Sequence, residues 1–142
     1  MIFTIGYEGR NIQEFIDILQ SSKIGIVVDV RELPLSRKKG FSRSQLSAYL
    51  NEAGIRYVNL KELGTPRHLR KMLREKLISW KNFVDLFTDH LKQHLDDVRK
   101  IVDMNHSQNV CLMCYEKDYT KCHRSLIAKT IESLFGERVI HL

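Results

Sequence analysis

Cys122-His123-Arg124-Ser125 sets a thiol, an imidazole and a guanidinium side by side, and Cys114-Tyr115-Glu116 stands shortly before it. A cysteine where a helix begins tends toward the thiolate, because unpaired N–H groups and the helix dipole favour an anion there. With Arg124 and a protonated His123 beside it, Cys122 reads as a nucleophile or a redox-sensitive thiol. His123, Glu116 and Glu8 are then the groups able to carry protons. A small residue filling a tight turn explains Cys122 equally well.

A second group, Asp29-Val30-Arg31 followed by Ser36-Arg37, can clamp a phosphate or carboxylate through planar guanidinium forks. Asp29 and Arg31 share one strand face by the two-residue period, so a buried carboxylate there is expected to pair with an arginine. The third group, Gly6-Tyr7-Glu8-Gly9-Arg10, offers backbone N–H groups, a phenol, a carboxylate and a cation. It matches neither the dinucleotide nor the P-loop glycine fingerprint, so neither NAD nor ATP is expected.

Counting tests other chemistries. Phosphatase- and rhodanese-like loops carry an arginine six positions after the cysteine; here those positions hold Thr120 and Ala128. Cys111 and Cys114 have the spacing of a zinc knuckle, but residues three apart on a strand point to opposite faces, so Cys111 is expected in the core. Cys114, Cys122 and His123, with Glu116 or Asp118, offer metal-ligand atoms, but the reading assigns neither metal nor cofactor. His90 and His94 stand four apart on a helix without a third ligand and read as surface residues. Arg67, Arg70, Lys71 and Arg74 lie along one short helix and can track a phosphate backbone, although a solvated face is the commoner explanation.

The elements that must position these groups alternate. Ile2–Ile5 reads as a buried strand. Asn11 and Glu14 form a capping box for a helix with Ile12, Phe15, Ile16 and Leu19 on one face. Residues 25–30, G-I-V-V-D-V, carry β-branched side chains on both parities, as a strand covered on both faces does. After a basic loop to Phe41, Ser42 and Gln45 are expected to box a helix ended by Gly54, and a third strand runs from Ile55 to Asn59. Pro66 fits the first position of a short helix. Ser79 caps a longer one through Trp80, Phe83, Phe87 and Leu91, with a break near Gln93. A fourth strand covers Asn109–Met113, a last helix Thr120–Phe135 ended by Gly136, and a fifth strand Arg138–His141. The expected fold is a single α/β domain over residues 1–142 with a mostly parallel sheet of about five strands and helices on both faces. Ligands of such sheets sit beyond the carboxyl ends of the strands, which selects loops 6–10, 31–41, 60–65 and 114–122.

The chain has 142 residues, 43% of them apolar, and a net charge of +6. Residues 31–81 hold 13 Lys/Arg and 4 Asp/Glu, a net +9 that leaves −3 for the rest. That asymmetry suits an anionic partner, a phosphate-bearing small molecule or nucleic acid. The N-terminus lacks a signal-peptide pattern, and no apolar run reaches the roughly 18 residues of a membrane span, so no membrane partner and a cytoplasmic location are expected. Three cysteines, an odd number, suit reduced thiols. Oligomeric state is not legible.

Thr4-Ile5-Gly6-Tyr7-Glu8-Gly9-Arg10, Val28-Asp29-Val30-Arg31 with Pro34, Ser36-Arg37 and Phe41, Gly54-Ile55-Arg56-Tyr57, Leu63-Gly64, Cys114-Tyr115-Glu116, Cys122-His123-Arg124 and Ile127-Ala128 together resemble the family called domain of unknown function 488. The resemblance implies a compact cytosolic α/β domain and lends no catalytic residues. Thr65 departs from it, since a second glycine after Leu63-Gly64 is more usual there.

Three functions follow as expectations. The first is an enzyme acting on a phosphate-bearing substrate such as a nucleotide or nucleic acid. Cys122, His123, Glu8 and Glu116 would supply its chemistry, and Arg31, Ser36, Arg37, Arg124, Tyr7 and Arg10 would bind the substrate. The second is a non-catalytic nucleic-acid-binding module, and the third a thiol-based redox sensor using Cys114 and Cys122.

Overall fold

The computed structural model describes residues 1–142. In chain order it contains β1 (Ile2–Gly6), α1 (Ile12–Ser21), β2 (Ile24–Asp29), α2 (Arg43–Glu52), β3 (Arg56–Asn59), α3 (Arg67–Arg74), α4 (Trp80–Lys92), α5 (Leu95–Asn105), β4 (Asn109–Cys114), α6 (Arg124–Phe135) and β5 (Val139–His141). The five strands form one sheet in the order β3-β2-β4-β1-β5, and every neighbouring pair is parallel.

Connections leaving β1 and β2 run toward the β3 edge, whereas those leaving β3 and β4 run toward the β5 edge. With one crossover hand, the two sets must fall on opposite faces. The core divides accordingly. Phe15, Leu19, Leu46 and Leu50 of α1 and α2 pack with Ile5, Val27 and Met113 on one face. Phe87, Ile101 and Ile127 of α4, α5 and α6 pack with Ile26, Val28 and Leu112 on the other. This is why β2 and β4 are apolar at both parities: each contributes alternate side chains to two cores. β2 and β4 are adjacent, yet their following loops diverge to opposite faces, which opens a crevice at their carboxyl ends.

Local signals explain several element ends. Asn11 and Glu14 form the expected capping box, and Ser79 caps α4 by accepting from the Asn82 N–H. The break near Gln93 separates α4 from α5. Gly136 ends α6 with φ 67°, a left-handed conformation that glycine adopts without penalty.

Three expectations need correction. Ser42 and Gln45 do not box α2. The Ser42 hydroxyl bonds the backbone of Ser36 at 3.0 Å, and Gln45 Oε1 accepts from the Gly40 N–H at 2.9 Å, so both side chains fasten the preceding loop. Pro66 precedes α3 instead of occupying its first turn. The last helix starts at Arg124, because Tyr119–Lys121 forms a separate 3-10 turn; Cys122 therefore lies outside the helix in extended backbone.

Candidate functional site

The crevice holds a cavity of about 320 Å³. Tyr7 after β1, Arg31–Leu33 and Leu35 after β2, and Cys114–Glu116 at the end of β4 form one part of its wall. Thr65, Arg70 and Leu73 from the α3 region, Trp80 and Phe83 from α4, and Lys121 and His123 complete it. Its lining thus joins three cationic side chains to a cysteine sulfur, two carboxyls and an imidazole. Leu33, Leu35 and Tyr115 are large, apolar and solvent-exposed here, an arrangement that marks binding surfaces when such residues cluster.

Arg31 is held by the strand it leaves. Its Nε and Nη2 donate to the two oxygens of fully buried Asp29 at 2.9 and 2.7 Å, and its Nη1 donates to the Tyr7 hydroxyl at 3.2 Å. Burial alone would lower its pKa; bonding and charge attraction to Asp29 outweigh this and raise it, so the group is permanently cationic. Asp29 also accepts from Tyr57 at 2.5 Å. Burial first, then the Asp29 charge, pushes the Tyr57 phenol well above its usual range, and it remains a donor.

Arg124 is fully buried. Its Nη1 donates to the Glu116 carbonyl at 2.5 Å and to Cys114 Sγ at 3.0 Å, its Nη2 to the Lys117 carbonyl at 3.3 Å, and its Nε to Thr4 Oγ1 at 3.2 Å. It staples the loop after β4 to the sheet. Gly6 permits that loop to lie so close, because a Cβ there would collide with the Glu116 carbonyl.

The sulfurs of Cys114 and Cys122 are in contact, with Cα atoms 7.8 Å apart. His123 Nδ1 lies 3.8 Å from Cys122 Sγ, and its Nε2 donates to the Val30 carbonyl at 2.7 Å. Burial, despite that hydrogen bond, pulls the His123 pKa down to about 4, so near neutral pH the ring is uncharged and is not the cation expected beside Cys122. Glu116 Oε2 lies 3.5 Å from Cys114 Sγ, and burial raises its pKa.

A model of the family described as Domain of unknown function DUF488 matches residues 11–131. The chain belongs to the DUF488 family. No curated protein and no solved structure matches it. The matched segment carries most of the cavity wall, from Arg31 to His123, but not Tyr7 on β1.

Of the residues that sequence singled out in this DUF488 domain, Tyr7, Arg31, Glu116 and His123 come together in the cavity, with Cys122 against its Cys114 wall. The others serve the frame around it. Arg10 donates to the Gly6 carbonyl at 3.1 Å, Glu8 accepts from the Lys117 N–H at 2.9 Å, Ser36 is tied to Ser42, and Arg37 is exposed away from the lining. Arg124 lies behind the wall. Sequence reasoning missed Lys121, Trp80, Phe83 and the exposed Leu33, Leu35 and Tyr115. It also read Arg70 only as part of a basic helix, whereas Arg70 lines the cavity and pairs with Glu32 at 3.3 Å. The apolar residue pair in the basic loop after β2 was the available signal.

At the far end of this network the Thr4 hydroxyl bonds His141 Nδ1 at 2.6 Å, and Tyr119 stacks on the same ring. Since Arg124 donates to Thr4, the hydroxyl proton is free to go to a neutral His141. Burial and then the nearby Arg124 charge lower the His141 pKa, partly offset by Glu132. The unfolded chain therefore binds this proton more readily, so the contribution is full above pH ~6.5 and is lost as pH falls below it. Urea midpoints of wild type and His141→Gln should converge as pH drops from about 7.5 to 5.5. Because His123 acts in the same direction in both proteins, only that difference reports His141.

Proposed function

We propose that this protein is a cytoplasmic enzyme acting on a small anionic molecule, with a phosphate-bearing compound such as a nucleotide as the leading class, in the cavity at the carboxyl ends of β1, β2 and β4. The observation that carries this reading is the meeting of Arg31, Arg70 and Lys121 with Cys114, Glu116 and His123 on one small cavity wall. Arg70 and Lys121 are the more exposed cations and are suited to grip the anion, while Arg31, fixed by Asp29, supplies a constant positive field. Trp80, Phe83 and the exposed Leu33, Leu35 and Tyr115 suit a planar or apolar group joined to that anion.

Within this reading the reactive sulfur is Cys114 in place of Cys122. Cys114 is on the wall, and the Arg124 guanidinium 3.0 Å away favours its thiolate. Glu116, whose carboxyl burial inclines toward the protonated form, can deliver a proton, and neutral His123 can accept one.

A thermal-shift panel of inorganic phosphate, nucleotides, small carboxylates and short oligonucleotides tests this on wild type and Arg70→Ala. A small anion at a hundred times its Kd should stabilise the fold by about 2.7 kcal/mol. Arg70→Ala should shift that response to at least tenfold higher ligand concentration. Stabilisation by oligonucleotides alone, abolished by moderate salt, would replace the enzyme with a nucleic-acid-binding module on the exposed face of α3. A thiol-switch reading draws on the contact of the two sulfurs. It requires a Cys114–Cys122 cross-link that forms and breaks over the cytosolic redox range, which peptide mass mapping across a glutathione series measures.

A further inference from the structure

Three ligand atoms converge at the cavity wall: Cys114 Sγ, Cys122 Sγ and a ring nitrogen of His123 all lie within 4.8 Å of one another. Disulfides usually span Cα separations of about 4.4–6.8 Å. Cys114 and Cys122 are 7.8 Å apart at Cα, outside that range although their sulfurs touch, and His123 Nδ1 stands 3.8 Å from Cys122 Sγ as a third donor.

The histidine is oriented for the same purpose. A carbonyl can only accept, so the 2.7 Å bond to Val30 O places the proton of the neutral ring on Nε2 and leaves the lone pair on Nδ1, which faces Cys122. Metal-binding histidines are held in this way, with the second ring nitrogen donating to a carbonyl or carboxylate that fixes tautomer and ring angle. Arg124 supplies a further outer-shell contact. Among the hydrogen-bond partners of this buried guanidinium there is no carboxylate, and its Nη1 points at Cys114 Sγ from 3.0 Å. Such a donor stabilises a thiolate.

We propose that Cys114, Cys122 and His123 form a zinc site whose fourth coordination position opens into the cavity. Two sulfurs and one imidazole suit zinc and disfavour magnesium or calcium, which prefer oxygen ligands. Two thiolates neutralise the ion, and the Arg124 guanidinium stands 3.0 Å from one of them. Cys114 and His123 line the cavity, and Glu116 stands at the open side. Three protein ligands with an open position are the pattern of catalytic zinc, as opposed to closed structural zinc. Binding requires both cysteines reduced and takes them as thiolates, releasing whatever thiol protons they still hold; no electron is transferred. The site goes beyond the substrate reading above: it keeps the cavity as the binding place, and with zinc bound Cys114 would serve as a ligand in place of acting as the free reactive sulfur.

The test uses the full chain, reduced with a phosphine, stripped with a chelator and desalted. Titration with cobalt(II) should give a thiolate-to-metal charge-transfer band and the intense visible bands of tetrahedral cobalt, saturating at one ion per chain and displaced by zinc. Cys114→Ser and Cys122→Ser should each weaken zinc binding roughly 100-fold or more, beyond the effect of an outer-shell change. Cys111→Ala, in the opposite core, should bind as wild type does. Wild type alone gives a second readout independent of how the variants fold: zinc should protect two thiols from a thiol reagent, and a chelator should expose them again. Absence of the cobalt–thiolate band from the reduced, folded protein, or zinc binding that protects neither thiol, would overturn the proposal. No anionic ligand enters either measurement, so failure of the substrate reading leaves this result unaffected.

Discussion

Arg124→Met is expected to lower the unfolding free energy by about 3–5 kcal/mol, because it strips several buried acceptors of a charged donor at once. The carbonyls of Glu116 and Lys117 and the hydroxyl of Thr4 all receive from this guanidinium. Each such group left unsatisfied costs about 1–3 kcal/mol, with the lower end applying at exposed Lys117, which water can reach. Arg124→Lys restores the charge but not the planar fork, and should recover only a minor part. Arg37→Met, at an exposed position, should stay within about 0.5 kcal/mol of wild type. Urea unfolding compares all three. A cost below about 1 kcal/mol for Arg124→Met would mean that the loop after β4 is not held by this residue. Because the expected damage is structural, Arg124→Ala is a poor probe of ligand contact, and Arg70 is the better choice.

Asp29→Asn should cost a similar amount, about 3–5 kcal/mol, by a different route. Asp29 is fully buried and accepts from the Arg31 backbone N–H, Nε and Nη2 and from the Tyr57 hydroxyl. An amide in its place turns one acceptor into a donor and leaves the Arg31 charge buried without its counterion. Tyr57→Phe removes one hydrogen bond to a charged group, and a smaller loss of about 1.5–3 kcal/mol is expected. Denaturant midpoints that rank Tyr57→Phe as the costlier change would contradict this assignment of the charge balance.

How far these features were legible depended on their range. The parity of apolar residues in β2 and β4 announced a doubly covered parallel sheet, and the strand-end rule then selected loops that supply much of the cavity wall. Asp29 and Arg31 were readable as a pair because two residues on one strand face cannot avoid one another. Arg124 was not. Its surroundings depend on Thr4, 120 residues away, and on the close approach at Gly6. Motif reading therefore gave Arg124 to a ligand. The charge state of His123 likewise depends on Val30, 93 residues upstream, and on burial that no local pattern encodes. Trp80 and Phe83 read as core because they fall on the apolar stripe of α4. That the stripe also passes over the strand ends follows only from where α4 crosses the sheet.

The most direct measurement is an amide and methyl chemical-shift titration of the full chain with the small anion that stabilises it best. Saturable shifts centred on residues 31–35, 65–73 and 114–123 are expected, with an intermolecular NOE to Trp80 or Tyr115. Shifts confined to the outer face of α3, or spread evenly over exposed lysines without saturation, would contradict the claim that the cavity at the strand ends is where this protein works.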